Sequence, residues 1–131
     1  ELSDLSRINL TDDKDQIINK IKKAKTDPLP MPSNLEELSK RPEAKNLIGI
    51  YSSLTNLSLE KTIGNFSGKN FSKFKEELSQ VLVDKINPIS NEINKLLNEK
   101  DYLDKILLDG HIKANEIATQ KLKEIHKIVG F

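Results

Sequence analysis

The sequence contains no cysteine, and this absence removes several kinds of site at once. Thiolate zinc sites, disulfide frameworks and thiol nucleophiles all need cysteine. The chain also has no apolar run long enough to span a bilayer and no charged-then-apolar leader. We therefore expect a protein that is not secreted and has no membrane partner. Because the sequence starts at Glu1 without a methionine, we expect it to be part of a longer protein.

The composition indicates a small helical domain. The chain has 131 residues, of which 36% are hydrophobic and 31% are charged. This length suits one domain with a buried core, and the charge suits solvated outer helix faces. The net charge of +1 lacks the strong positive excess of a dedicated nucleic-acid-binding domain. A local cluster of lysines would still create a positive field.

The first part of the chain predicts one helix followed by an extended segment. Residues 1–10 show no helical period and are interpreted as a connector. Thr11-Asp12-Asp13 offers a helix N-cap with acidic residues in the first turn, so we predict a helix over about 12–25. The lysines of 20–25 lie toward its C-terminal end. Alternating prolines at 28–32 exclude a helix interior and favour a structural crossover.

Capping residues predict the next three helices. Asn34 begins a short helix over Leu35–Ser39, and Pro42 suits the first position of another helix. Ser58 caps a third helix, which carries Leu59 and Ile63. The buried face of the Pro42 helix is predicted to consist of Ala44, Leu47, Ile48, Tyr51 and Leu54.

The remaining chain predicts a long helix and two further helices. Apolar residues recur at helical spacing from Phe71 to Leu97 and continue through Pro88, which predicts a kink without a break. Asp101 begins a helix that Gly110 ends or interrupts. The last helix is predicted to place Ala114, Ile117, Ala118, Leu122, Ile125 and Val129 on one face, with its lysines mainly on the other. The resulting fold class is an all-α antiparallel helical bundle, with a loosely attached N-terminal helix.

Five segments in order resemble one family over almost the whole chain. They are residues 6–27, the Arg-Pro-Glu and Asn-Leu pattern of 41–51, the glycine turn and helix start of 66–75, the stretch 110–118, and Val129-Gly130-Phe131. Together they resemble the C-terminal helical domain of bacterial or mitochondrial-type tryptophanyl-tRNA synthetases. These are class I aminoacyl-tRNA synthetases.

The resemblance implies a binding domain of a larger enzyme. The parent would attach tryptophan to its tRNA using ATP with magnesium, and its KMSKS loop and nucleotide-binding fold would precede Glu1. Residues 1–33 would lead from that catalytic domain, and residues 34–131 would bind the anticodon. The parent would be a homodimer. The chain alone would hold no catalytic, cofactor or metal site and would be inactive.

Six residues are the candidate tRNA contacts. They are Arg41, Lys45, Asn46, Lys69, Lys73 and Lys75. The last three surround the Gly68 turn, where lysines and exposed amides suit a phosphate. Arg41 has a second interpretation as a salt-bridge partner. The lysines of 20–25 are interpreted first as a solvated face, and Tyr51 first as a core residue, although a tyrosine could also stack on a base.

The histidines and aspartates suggest no further site, and two other functions remain as alternatives. His111 and His126 lack the neighbours of a metal site, and the aspartates at 12–15 and 101–109 suit helix capping better than cation binding. A protein-interaction module or a purely structural bracing domain without direct RNA readout is the alternative function. The tyrosine enzyme of the same class is a narrower alternative, but its additional C-terminal RNA-binding domain is not recognisable here.

Overall fold

The fold was analysed in a computed structural model, which describes residues 3–130. Within that range the chain forms one short 3-10 helix and six α-helices, without a β-strand. The all-α class is confirmed. Glu1 and Phe131, which belong to the predicted connector and to the last resembling segment, lie outside the described residues. The elements are the 3-10 helix Asp4–Ser6, α1 Lys14–Lys23, α2 Leu35–Ser39, α3 Pro42–Thr55, α4 Leu59–Phe66, α5 Phe71–Asn98 and α6 Lys100–Val129.

Side-chain caps fix where the first helices begin. The carboxylate of Asp13 accepts a hydrogen bond from the backbone N–H of Gln16, whose side chain bonds back to the N–H of Asp13. Asn34 and Ser58 cap α2 and α4 in the predicted manner. These side chains satisfy N–H groups that have no partner inside the helix, which stabilises each start.

The proline segment is held by the turn between α4 and α5. The N–H of Met31 donates to the carbonyl of Lys69 at 2.8 Å, and the N–H of Gly68 donates to the carbonyl of Met31 at 3.2 Å. Gly68 has a φ of 72°, a left-handed conformation that a residue without a Cβ adopts at little cost. These two hydrogen bonds therefore hold the predicted proline crossover against the turn between α4 and α5.

Three aromatic rings form the middle of the core. Phe66 and Phe74 are fully buried, with ring centres 4.9 Å apart and nearly perpendicular planes. The half-buried ring of Tyr51 completes the group, 5.1 Å from Phe66 in an edge-to-face arrangement. Such pairs add about 0.5–1.5 kcal/mol beyond the area they bury. The interpretation of Tyr51 as a core residue agrees with this packing.

The N-terminal helix is part of this core, so the expectation of loose attachment is wrong. Ile17 and Ile21 of α1 are buried in the same cluster as Met31, Leu38 and the aromatic rings. One lysine of α1, Lys20, is also buried.

The C-terminal part departs from the sequence prediction. The chain forms two compact units, 1–91 and 92–131, and α5 continues through Pro88 without a break, as predicted. The kink expected there stays a prediction. The helix boundary expected at Gly110 is wrong, because α6 is one helix of 30 residues. None of its described residues is buried, so the apolar face predicted for 114–129 lies exposed on this helix.

Candidate nucleic-acid interface

Arg41 is bound on several sides by the proline segment. Its Nε and terminal nitrogen donate to the two carboxylate oxygens of Asp27 at 2.9 and 2.6 Å. The guanidinium also donates to the carbonyls of Pro30 and Leu29 and lies 5.5 Å from the centre of the Phe71 ring. These hydrogen bonds hold the pKa of Asp27 below its usual value. The geometry favours the salt-bridge interpretation of Arg41.

Lys75 joins the end of α1 to α5. Its ammonium donates to the carbonyls of Lys22 at 3.2 Å and Ala24 at 2.5 Å, which lie at the C-terminal end of α1. A cation satisfies these carbonyl groups and complements the negative end of the helix dipole. Burial lowers the pKa of Lys75. Lys75 therefore holds α1 and α5 together. The contact brings the lysines of 20–25 close to those of 69–75, about 50 residues away in the sequence.

Lys69 and Lys73 remain exposed beside the start of α5. The ammonium of Lys69 lies 5.0 Å from the centre of the Phe66 ring, and the N–H of Lys73 donates to the cap residue Asn70 at 3.1 Å. Among the described residues neither side chain has an acidic partner. Both charges are available to an anionic ligand at this turn.

Lys45 and Asn46 lie on an open face of α3. Both side chains are exposed, and they border a shallow depression together with Pro42, Gly49, Ile50, Ser53 and Leu54. Gly49 leaves open space there, since a Cβ atom at that position would meet no described atom within 4 Å. A charge and an amide beside an accessible backbone suit contact with an extended polyanion.

Lys20 differs from the other lysines of its run because it is buried. Its ammonium lies 2.7 Å from Asp12 and 3.0 Å from Asp4, and Asn9 donates to both carboxylates. Sequence reasoning missed this cluster and treated residues 20–25 as one solvated face. The spacing of Asp12 and Lys20, two turns of helix apart, was the only available signal.

The potential metal ligands of the described residues do not cluster. Within 3–130 no three His, Cys, Asp or Glu side chains lie close enough to hold a metal ion. His111 is exposed on α6, and so is His126. No helix in the described range has the length and apolar character needed to cross a membrane. The resemblance implies magnesium and ATP for the parent enzyme and assigns neither of them to a residue of this chain.

Fold and surface together define an all-α domain with exposed lysines around the starts of α3 and α5. No family model matches the chain. Among curated proteins it is 45% identical over 129 residues to the tryptophan–tRNA ligase of Rhizobium meliloti, covering 98% of this chain and 36% of the relative. The ligase of Agrobacterium fabrum is 46% identical over the same share, and that of Rickettsia conorii is 47% identical over 100% of this chain and 39% of the relative.

The chain thus spans just over a third of the length of the relatives it matches. The resemblance to tryptophanyl-tRNA synthetases is confirmed. The match extends across both compact units, so it includes α6 as well as the core.

Proposed function

We propose that this chain is the tRNA-binding C-terminal region of a tryptophan–tRNA ligase. The observation that carries the proposal is the identity of 43–47% to such ligases over nearly the whole chain. In this proposal residues 34–131 hold the anticodon arm, and residues 1–33 connect that domain to the catalytic part of the enzyme. The parent enzyme is cytoplasmic and homodimeric, and it uses ATP with magnesium to activate the carboxyl group of tryptophan.

The exposed candidates act as the RNA contacts in this proposal. Lys45, Lys69 and Lys73 bind phosphates, and Asn46 hydrogen-bonds a base edge or ribose. Phosphate contacts supply affinity and register, whereas sequence is read at the bases. Arg41 and Lys75, whose donors are engaged within the fold, position the turn and the helices that carry the other four.

A salt series on single variants tests this assignment. Lys45→Ala, Lys69→Ala and Lys73→Ala are compared with Lys85→Ala, which removes an exposed lysine elsewhere on α5. Each lost phosphate contact should reduce the slope of log K against log salt by about 0.7–0.9. Binding is measured by fluorescence anisotropy with a labelled tryptophan tRNA transcript. The control should keep the slope of the unaltered chain.

A different pattern would contradict the proposed contacts. If the three variants and the control lose affinity equally, the lysines act only through the overall field of the domain. If none loses affinity while the unaltered chain binds tRNA, the contacts lie elsewhere.

Bracing another part of the enzyme is the second candidate function, and α6 favours it. Its apolar side chains are solvent-exposed: Ile117 is 67% exposed and Leu107 69%. A long apolar surface of this kind marks an interaction site more often than a solvated helix. In this case a parent enzyme that lacks the three exposed lysines would keep its tRNA affinity. A separate variant with aspartate at Leu107 and Ile117 would lose thermal stability.

A further inference from the structure

A groove runs between α1 and the first turns of α5. It has a volume of about 420 Å³, which falls in the range of about 300–1,000 Å³ seen for small-molecule sites. Its walls include Ile18, Lys22, Thr26, Phe71, Ser72 and Lys75, and Glu76 brings one carboxylate to the same lining.

The groove is preformed because its two walls are tied together. Lys75 of α5 donates to carbonyl groups at the end of α1, which fixes the spacing of the helices. Phe71 at the base is 8% exposed, and the guanidinium of Arg41 lies 5.5 Å from its ring centre. A ligand would therefore enter without separating the helices, and little conformational entropy would be lost on binding.

The lining combines an apolar base with polar and cationic groups at the rim. Ile18, 36% exposed, and the ring of Phe71 supply apolar contact, whereas Ser72 and Thr26 carry hydroxyl groups. Lys22 forms no ion pair with an acidic side chain of the described residues, and it lines the groove together with Lys75, so two cations face the one carboxylate of Glu76. A flat heteroaromatic group joined to a phosphate matches this combination, because such a ligand presents an apolar face, hydrogen-bonding edges and a negative charge.

We propose that this groove receives one unstacked nucleobase of a single-stranded RNA segment, with the adjacent phosphate at Lys22. This inference rests on the proposed function and names a base-binding site for it. RNA and an acidic peptide are both anionic, so charge does not distinguish them. The contact with the Phe71 ring favours RNA. A peptide is therefore an outcome of the test below.

Filling the groove from its exposed edge is the direct experiment. Ser72→Phe places a ring across the opening without altering a buried residue, and Asn65→Phe puts the same side chain on an exposed position of α4. The probe is a single-stranded RNA heptamer with 2-aminopurine at its centre. Since stacking of one base is worth about 1–3 kcal/mol, Ser72→Phe should weaken binding roughly fivefold or more. Asn65→Phe should bind as the unaltered chain does.

A second measurement needs no variant. Methyl NMR of the unaltered chain should show a shift of the Ile18 methyl groups on titration with the heptamer, while those of Ile89, exposed in the C-terminal half of α5, shift less. If Ile18 does not shift, the groove is not the base site. If poly-glutamate shifts Ile18 as strongly as RNA does, an acidic peptide is the occupant and the RNA proposal is overturned.

Failure of this inference differs from failure of the proposed function. If Ser72→Phe keeps full affinity for the heptamer while Lys69→Ala and Lys73→Ala weaken it, the groove proposal falls and the tRNA-binding proposal stands. If the unaltered chain binds neither the heptamer nor tryptophan tRNA at low salt, both fall.

Discussion

The ammonium nitrogen of Lys20 lies 2.7 Å from a carboxylate oxygen of Asp12, and both side chains are about 95% shielded from solvent. Asp4 approaches the same ammonium at 3.0 Å from the short 3-10 helix. Asn9 bridges the two carboxylates. The connector before α1 is thereby tied to the helix by charge-assisted hydrogen bonds, which are stronger than neutral ones.

The first prediction concerns pH. Burial raises the pKa of Asp12, but hydrogen bonds from Lys20 and Asn9 outweigh burial and leave the pKa below its usual value. A carboxyl group with a lowered pKa in the folded state stabilises the fold above its unfolded pKa, near 3.9, and that stability is lost as the pH falls through the folded value. The urea concentration at the midpoint of unfolding should therefore decrease when the pH is lowered below about 4.

The variant Asp12→Asn isolates this contribution. It should lower the urea midpoint at pH 7 and show a smaller further loss on acidification than the unaltered chain. The hydrogen bond that Lys20 donates to Asp12 also raises the pKa of Lys20, so the contribution of Lys20 to stability persists below its unfolded pKa near 10.4 and is lost at higher pH. An identical acid transition in both proteins would show that other carboxylates control it.

The second prediction concerns Arg41. Arg41→Lys should destabilise the chain by about 1–3 kcal/mol, because an ammonium does not reproduce the two-pronged contact with Asp27 and the contacts with two carbonyls. Arg7→Lys changes the other arginine, which is exposed, and should stay within about 0.5 kcal/mol. Chemical unfolding measures both. Equal stability of the two variants would show that Arg41 has no structural role and would restore it as a candidate RNA contact.

The third prediction compares a core ring with an exposed leucine. Phe74→Ala should cost about 3–5 kcal/mol, because it removes a fully buried ring between Phe66 and Tyr51. Leu107→Ala removes a side chain that is 69% exposed and should change stability by less than about 0.5 kcal/mol. Thermal melts followed by circular dichroism give both values. A large loss from Leu107→Ala would mean that α6 has a buried face.

The fourth prediction concerns the two glycines at positions 68 and 110. Gly110 lies inside α6 with open space at its Cβ position, so Gly110→Ala should stabilise the helix by about 0.5–1 kcal/mol. Gly68 has a left-handed φ of 72°, so Gly68→Ala should destabilise by about 1–2 kcal/mol. Helicity and urea midpoints measure the pair. Destabilisation by Gly110→Ala would support the helix end first expected there.

Local signals in the sequence predicted the helix starts well. The caps Asn34 and Ser58 and the proline at the start of α3 act on the nearest N–H groups, so their effect is visible without the fold. The burial of Lys20 was not predictable in this way. It depends on Asp4 and Asp12, which reach the ammonium only after the connector has folded back.

The helix end wrongly expected at Gly110 and the two interpretations left open for Arg41 have related physical causes. Apolar spacing shows which face of a helix could be buried, but not whether a partner is present to bury it. Gly110 costs a helix only about 1 kcal/mol, which is not enough to end it. At the site, sequence alone left Arg41 with two interpretations. Its contacts with Asp27, Pro30 and Leu29, 11 to 14 residues away, favour one of them.

The central claim is that this chain binds tRNA through the anticodon arm. The most direct measurement is the affinity of the unaltered chain for tryptophan tRNA and for the same tRNA with a substituted anticodon, at one fixed salt concentration. The account predicts weaker binding of the substituted tRNA, by about 1–3 kcal/mol for each base contact that is lost. Equal affinity for the two tRNAs would contradict it and leave only a nonspecific basic surface.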